Sequence, residues 1–414
     1  MGLANPSITQ GHERRWLAFA TLLLLALLLA PVARAGIANA PGKDLEVSLI
    51  TYGPGSIYWE RFGHDAIEIR DTLSGQAVNF NYGVFDFNQA NFLFNFARGR
   101  MNYMMDAERS GPEIAWYIDQ GRSVRRQTLA LTPDQAARLR DFLLWNLRPE
   151  HMHYRYDYYT SNCATKVRDA LDRVLGGQLQ RTLVHRSEPL TYRQQTDRLM
   201  ANQPWLMLLL DLGLSHYADQ PLNAWQGSFL PTVLSREVAS VRVDDGHGGL
   251  RPLVADDTLL AHSKLTPPPA QPPDLRLPML LTGAGIAVLL LVSARSRRRT
   301  VRLCGSTLAT VWLLLAGLAG LFMLALWTVT AHRAGWANAN LLLFSPLAWG
   351  LLPAVWRAQV TRRAHLLAWL VTALALAALA CNLGGLLTQR NLPWILLALP
   401  VWLALLRILR QRTP

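Results

Sequence analysis

The chain has 414 residues, 51% of them hydrophobic, and a formal net charge of +13 from 41 Lys and Arg against 28 Asp and Glu. It is too long and too uneven for one ordinary domain, because Trp, Tyr, charge and turn residues run to about position 260 and the remainder is strongly apolar. The positive balance is nearly all arginine flanking apolar segments, which reads as membrane topology. No Lys/Arg run interleaved with exposed aromatics marks a nucleic-acid groove, so nucleic acid is excluded as a partner.

Arg14 and Arg15 precede an apolar stretch from Trp16 to Ala30, followed by Pro31 and Ala33-Arg34-Ala35-Gly36. A positive n-region, a short h-region and an Ala-x-Ala site are the pattern of a secretory signal. Residues 1–35 are therefore expected to be a signal peptide or an N-terminal anchor, with residue 36 onward outside the cytoplasm.

Residues 36–260 read as one mixed α/β domain. Leu45 to Tyr52 alternates loosely as a strand, His64 to Arg70 as a second, Thr72 to Gly75 as a turn and Ala77 to Tyr82 as a third. Arg122 to Leu131 alternates again. Thr132-Pro133-Asp134-Gln135 opens a helix with an N-cap, a first-turn proline and a capping-box glutamine. A further helix starts at Cys163, with Val167, Ala170, Leu171 and Val174 at helical spacing.

Residues 261–277, with Thr266-Pro-Pro-Pro and Pro272-Pro273, form a Pro-rich linker. Beyond it, residues 278–414 hold five apolar spans, roughly 278–293, 304–330, 338–356, 364–387 and 392–409, each near the length that crosses ~30 Å of hydrocarbon. If the front domain is external, spans one, three and five end inside at Arg295–Arg302, Arg357–Arg363 and Arg407–Arg412, while the opposite loops hold only Arg333 and Arg390. The positive-inside rule is met at every turn, which predicts a multi-pass membrane protein with its N-terminal domain external.

Cys163, Cys304 and Cys381 are the only cysteines, and the front domain owns one. A single cysteine makes no intradomain disulfide, and a thiol in an oxidising compartment is a liability unless used. Its place at a helix N-terminus, near unpaired N–H groups and the positive end of the dipole, favours the thiolate. Such a nucleophile needs a base and an orienting group. His64 opens a strand after Gly63, where it is either that base or a strand cap. Asn79 and Asn81 share one face of the next strand, and Asn81 is preferred as the orienter. Asn162 and the Cys163 backbone N–H are candidates to hold an oxyanion, with Asn162 equally suited to capping the helix. Tyr158 and its neighbouring tyrosines line the expected cleft, and Asp157 either binds an amine substrate or is structural.

His151 and His153 have no zinc-ligand spacing around them, so no metal is expected. No Gly-rich phosphate loop follows a strand, so no cofactor is expected. Asn338 and Asn340, at the outer end of span three, are either a headgroup pocket or interfacial caps.

As a set, several stretches resemble the Lnb-like periplasmic domain family. They are Gly63-His64-Asp-Ala-Ile-Glu-Ile-Arg-Asp71, Asn81-Tyr-Gly83-Val-Phe-Asp-Phe87, Gly121-Arg122, Tyr156-Asp157-Tyr158, Asn162-Cys163-x-Thr165-x-Val-Arg168-Asp169 and Trp225-x-x-x-Phe229-Leu230-Pro231. The resemblance extends past the linker, since that family commonly carries a five-helix membrane domain with an Asn-rich outer loop like Asn338–Pro346. It implies an α+β fold: a permuted papain-like (NlpC-type) periplasmic domain, His before Cys, followed by an all-α five-helix transmembrane domain. Cys163 and His64 then carry over as nucleophile and base.

One member of the family is a bacterial lipoprotein N-acyltransferase. The expectation is therefore a membrane-bound thiol acyltransferase, with phospholipid as acyl donor and a lipid-anchored protein as acceptor. The rivals are an envelope cysteine hydrolase (peptidase, amidase or lipase) and a non-catalytic membrane scaffold.

Overall fold

The computed structural model describes residues 36–85, 89–244 and 248–412. The expected signal or anchor, 1–35, lies outside them.

The N-terminal domain is built on β1 (Leu45–Tyr52), β2 (His64–Asp71), β3 (Ala77–Val84), α1 (Phe92–Ala97), β4 (Asn102–Arg109), α2 (Ser110–Asp119), β5 (Val124–Leu129), α3 (Pro133–Asn146) and β6 (His153–Arg155). The cysteine helix α4 (Cys163–Val174) comes next, then α5 (Tyr192–Met200), α6 (Pro204–Gly213), α7 (Pro231–Ser240) and β7 (Val254–Ala261). The strands form one antiparallel sheet in the order β7-β5-β1-β2-β3-β4-β6.

Its central strands are covered on both faces, so their apolar residues serve two cores. Val47, Leu49, Ile67, Ile69 and Phe80 pack under α3, α4 and α7, while Ile50, Tyr52, Ala66 and Val124 pack under α2. Three helices start in full capping boxes, at Thr132/Gln135, Asn162/Thr165 and Thr191/Gln194. The sequence reading did not place α1, β4, α2, β6, α5, α6, α7 or β7. β7 carries Asp256 and Asp257 because it is an exposed edge, and strand alternation is lost there.

Residues 262–275 lead to the helical domain, where α8 (Arg276–Arg295), α9 (Arg299–Thr328), α10 (Arg362–Leu383) and α11 (Leu392–Arg410) are each long and apolar enough to cross a membrane. The chain is thus α+β, a sheet-rich domain followed by a helical one. The expected third span, 338–356, is not an α-helix. It is three short 3-10 helices, Ala339–Leu342, Pro346–Leu351 and Ala354–Trp356. Pro346 and Pro353 lack the N–H that α-helical bonding needs, and the hydroxyl of Ser345 and the amide of Asn338 bond the local backbone instead.

This segment runs antiparallel to α9. A Cβ on Gly320 would meet Phe344 and Ser345, Trp349 donates to the Leu314 carbonyl at 3.2 Å, and Ser306 donates to the Val355 carbonyl at 2.9 Å. At about 2.0 Å per residue the 3-10 path covers in roughly 11 steps what α9 covers in roughly 14 at about 1.5 Å. Trp402 of α11 satisfies another of its carbonyls, Leu343, at 2.9 Å. Irregular backbone is stable here because α9 and α11 side chains bond its carbonyls.

A buried polar junction joins the domains. The last carbonyls of α6 have no partner within the helix. Asn338 Nδ2 donates to the carbonyls of Leu212, Gly213 and Leu214 at 2.8, 3.0 and 3.2 Å, and Asn340 Nδ2 donates to Leu212 at 3.1 Å. Gln389 donates to Asn338 Oδ1, and Asn391 to Asn340 Oδ1. Beside them Arg193 pairs with Asp211 and Asp219 at 2.6 and 2.8 Å, and Trp394 of α11 donates to the other oxygen of Asp211 at 2.7 Å. Asn338 and Asn340 are fully buried and fully bonded, so they form this junction and not an open headgroup pocket.

Asn338→Leu leaves buried carbonyls unpaired and should cost about 1–3 kcal/mol. Lower thermal stability in detergent and faster proteolysis within 262–275 are the expected readouts, and an unchanged protein on both counts would contradict the role.

Candidate active site

Cys163 begins α4 and His64 begins β2. They approach through the residue after His64, because the Asp65 backbone N–H bonds the Cys163 sulfur. β3 pairs with β2 in the register Ala66↔Asn81 and carries Gly83 to the same end of the sheet. Gly83 has φ +93°, and a Cβ there would lie 3.6 Å from the Cβ of Cys163 and 3.8 Å from the ring of Tyr156. The absent side chain leaves room for Cys163 and the Tyr156 ring at the end of the sheet where His64 begins β2. Cys163 and His64 are half-buried.

Asn81 Oδ1 lies 2.9 Å from His64 Nε2, and Asn81 Nδ2 donates to Glu113 Oε2 at 2.8 Å. Tyr52 donates to the other oxygen of Glu113 at 2.7 Å, and Asn79 Nδ2 donates to the Tyr52 hydroxyl at 3.0 Å. A carboxylate only accepts, so Glu113 dictates which way the Asn81 amide points. Asn81 then offers an oxygen to the ring. His64 must carry its proton on Nε2, which leaves Nδ1 as the basic nitrogen.

The aromatic rings of Tyr52 and Tyr117 lie nearly parallel to the imidazole, with centroids 6.0 and 6.2 Å away. Arg122 rests 4.6 Å over the Tyr117 ring, is buried, and donates through Nε to the Gly53 carbonyl.

Burial dominates the electrostatics. It pulls the His64 imidazole down to about 4, with the Arg122 charge adding to the shift against the Asn81 hydrogen bond. The Cys163 thiol is pushed up to about 12, first by burial and then by the neighbouring Asp65 carboxyl. The backbone N–H groups of Asp65, Ala164 and Cys163 itself work the other way, toward the thiolate. Desolvation exceeds the helix-terminus effect on which the sequence reading relied, so the resting pair is neutral thiol and neutral imidazole. An imidazole held in one tautomer beside a neutral thiol is suited to taking its proton as an electrophile arrives.

Asp65 turns its carboxyl to the opposite face from His64, accepts from Thr51 at 2.7 Å, and has no partner for Oδ2. Burial pushes it up to about 7.

Other candidates fall elsewhere. Asn162 caps α4 by accepting from the Thr165 N–H at 2.9 Å, and its amide hydrogens go to the Tyr158 and Phe229 carbonyls. With every polar atom committed it has nothing to offer an oxyanion. Asp157 Oδ1 accepts from Tyr159 N, Thr160 N and the Thr160 hydroxyl, which makes it the anchor of a turn. Tyr158 is partly exposed and stacks on His332 at 6.1 Å. Glu113, Tyr117, Arg122 and Asp65 escaped the sequence reading as members of this cluster. Only the packing of α2 on β3 brings Glu113 to Asn81, and no spacing in the chain signals it.

Aromatic rings continue from the thiol. Tyr156, beside Gly83 and Cys163, lies 4.3 Å from Tyr103 and 6.0 Å from Tyr158, which reaches His332 just beyond α9.

The Asp65 effect has a direct check. Asp65→Asn removes a carboxyl that holds the thiol up, so iodoacetamide should label Cys163 at lower pH than in the wild type. An identical pH dependence would discount the interaction.

Residues 33–198 match the family model described as the Lnb N-terminal periplasmic domain, and residues 272–413 match the Lnb transmembrane domain. No curated protein and no solved structure matches the chain.

Proposed function

The chain belongs to the Lnb family and is a membrane protein with a periplasmic domain, and from that premise we propose that it is a thiol acyltransferase moving an acyl chain from phospholipid to the N-terminal amine of a lipid-anchored protein. In this reading the protein sits in the bacterial inner membrane. Four long helices and the 3-10 segment make five crossings, and the arginine clusters mark the inner side.

His64 takes the Cys163 proton as sulfur attacks the ester carbonyl carbon. The C–O bond then breaks, the lysolipid oxygen receives that proton from His64, and the acyl chain remains as a thioester. The acceptor amine attacks the thioester, His64 takes a proton from the nitrogen, and the C–S bond breaks. The thiol is regenerated and an amide leaves. Asn81, aimed by Glu113, keeps His64 in the tautomer both half-reactions use. The N–H groups of Cys163 and Asp65 are the donors available to a developing oxyanion.

The observation that carries this reading is the aromatic path from Cys163 through Tyr156 and Tyr158 to His332. It links the thiol to the outer end of a membrane helix, where a substrate with acyl chains would arrive. A cysteine hydrolase acting on a small polar substrate has no need of it.

Intact mass spectrometry after incubation with phospholipid tests the proposal. The expected result is an acyl adduct on Cys163 that a diacylglyceryl lipopeptide consumes, yielding an N-acylated product. Cys163→Ala should give no adduct, and His64→Ala should slow its formation by roughly 10²–10⁴-fold. An adduct lost only to water points to a lipase, and no adduct under any lipid condition rejects acyl transfer.

Glu113→Gln can turn the Asn81 amide and so force the wrong imidazole tautomer. It should lower kcat by about 10²-fold with KM little changed, whereas a purely structural Glu113 would show its loss in protein stability instead. Because His64 is held neutral to about 4, against 6.5 for a free imidazole, kcat/KM should stay level as pH falls through 6.5 and decline only towards 4. A decline centred at 6.5 would contradict this environment.

A further inference from the structure

We propose that α1 and α6 are two feet by which the periplasmic domain itself rests in the bilayer surface, the outward residues of α6 occupying the headgroup–acyl boundary of the outer leaflet and those of α1 the headgroup layer above it. On α6, Leu208 and Leu212 pack on the core of the helical domain while Trp205 and Leu209 face out, 70% and 45% exposed. On α1, Leu93 and Phe94 are 78% and 60% exposed, and Phe96 is also open. Apolar side chains this exposed on a folded surface need a cover.

The cover is identified by where these helices are attached. A Cβ on Gly213, at the end of α6, would lie 3.6 Å from Phe322 and 3.7 Å from Leu326 of α9. The residues following α1 are tied to the far end of the same helix, with Ala331 N donating to the Arg98 carbonyl at 2.8 Å and Gly99 packed on His332.

The depth of that attachment can be calculated. α9 has 30 residues, about 45 Å at about 1.5 Å each, against a hydrocarbon core of ~30 Å. With Arg302 at the inner boundary, about 20 residues of rise bring the outer boundary near Phe322. α6, attached at Phe322 and Leu326, therefore stands where hydrocarbon gives way to headgroups, and α1, attached at Ala331 and His332, stands at least about 9 Å further out, at the outer edge of the headgroup layer. They also continue α9's own exposed belt, which includes Phe322 and Trp327. α9 is long and apolar enough to cross a membrane, where this belt faces lipid, so lipid is the occupant that continuity selects. From α1, rings lead inward: Phe92 to Phe85 at 6.3 Å, Phe85 to Tyr103 at 5.4 Å, and on to Tyr156 beside Cys163.

The test is power-saturation EPR on the full chain in phosphatidylethanolamine/phosphatidylglycerol liposomes. Cys163, Cys304 and Cys381 are replaced by Ser, and one nitroxide is attached through Phe94→Cys, Leu209→Cys or Leu73→Cys. Leu73 is exposed at the far end of β2 and serves as the aqueous reference. The label at 209 should be more accessible to oxygen than to a water-soluble nickel chelate, at a depth of about 5–10 Å, the label at 94 should be less accessible to nickel than the reference, and the label at 73 should favour nickel. The proposal is overturned if the labels at 94 and 209 respond to nickel as the reference does. It is equally overturned if they are shielded from both reagents and show dipolar broadening, which would mean a second copy of the chain covers them. The labelled protein has no Cys163, so neither outcome depends on whether the thiol transfers acyl groups.

Discussion

The C-terminal carbonyls of α6 are the point on which this architecture turns. A helix ending away from water must find donors for its last carbonyls, and here they come from another domain: Asn338 and Asn340, braced by Gln389 and Asn391. The Arg193–Asp211–Trp394 contact adds a charge pair whose second acceptor oxygen is satisfied only by a membrane helix. Buried polar groups of this kind contribute little net stability when complete and cost several kcal/mol when broken. Their effect is geometric: they hold the sheet-rich domain at one height and one rotation on the membrane helices.

That fixed height gives the thiol site its context. Cys163 and His64 lie at the end of the sheet from which aromatic rings lead towards the outer end of α9, and burial favours the neutral form of each. A neutral pair suits an encounter with lipid. A resting thiolate–imidazolium pair would add a charge-desolvation cost to every approach of an acyl chain. In the proposed reaction the proton moves only once a carbonyl is present to receive the electrons. The Glu113–Asn81 chain matters for the same reason, since a neutral imidazole has two tautomers and only one leaves Nδ1 basic.

The helical domain shows how packing can override composition. Residues 338–356 are as apolar as a membrane helix, yet prolines, a serine and two asparagines prevent α-helical bonding, and the resulting 3-10 path survives because α9 and α11 supply donors to its carbonyls. Gly317 and Gly320 make that approach possible: side chains there would strike Trp349 and Phe344.

Much of this was legible along the chain. Strand alternation marked β1, β2 and β3, local capping chemistry marked the start of α3, and hydropathy with arginine placement marked the long helices, because each of these signals is written within a few residues. His64, Asn81 and Cys163 stood out as residue types in suggestive places. The sequence alone could not say that Asn162 spends all its polar atoms on capping or that Asp157 anchors a turn. Nor could it say that Asn338 and Asn340 bond the other domain's backbone. Those outcomes depend on partners between 2 and 128 positions away. Only the tertiary structure decided that Gly83 would open a gap for the sulfur, that Glu113 would orient Asn81, and that burial would outweigh the helix terminus at Cys163. Desolvation and hydrogen-bond orientation are set by what surrounds a group in space, and that is not encoded in any short stretch of residues.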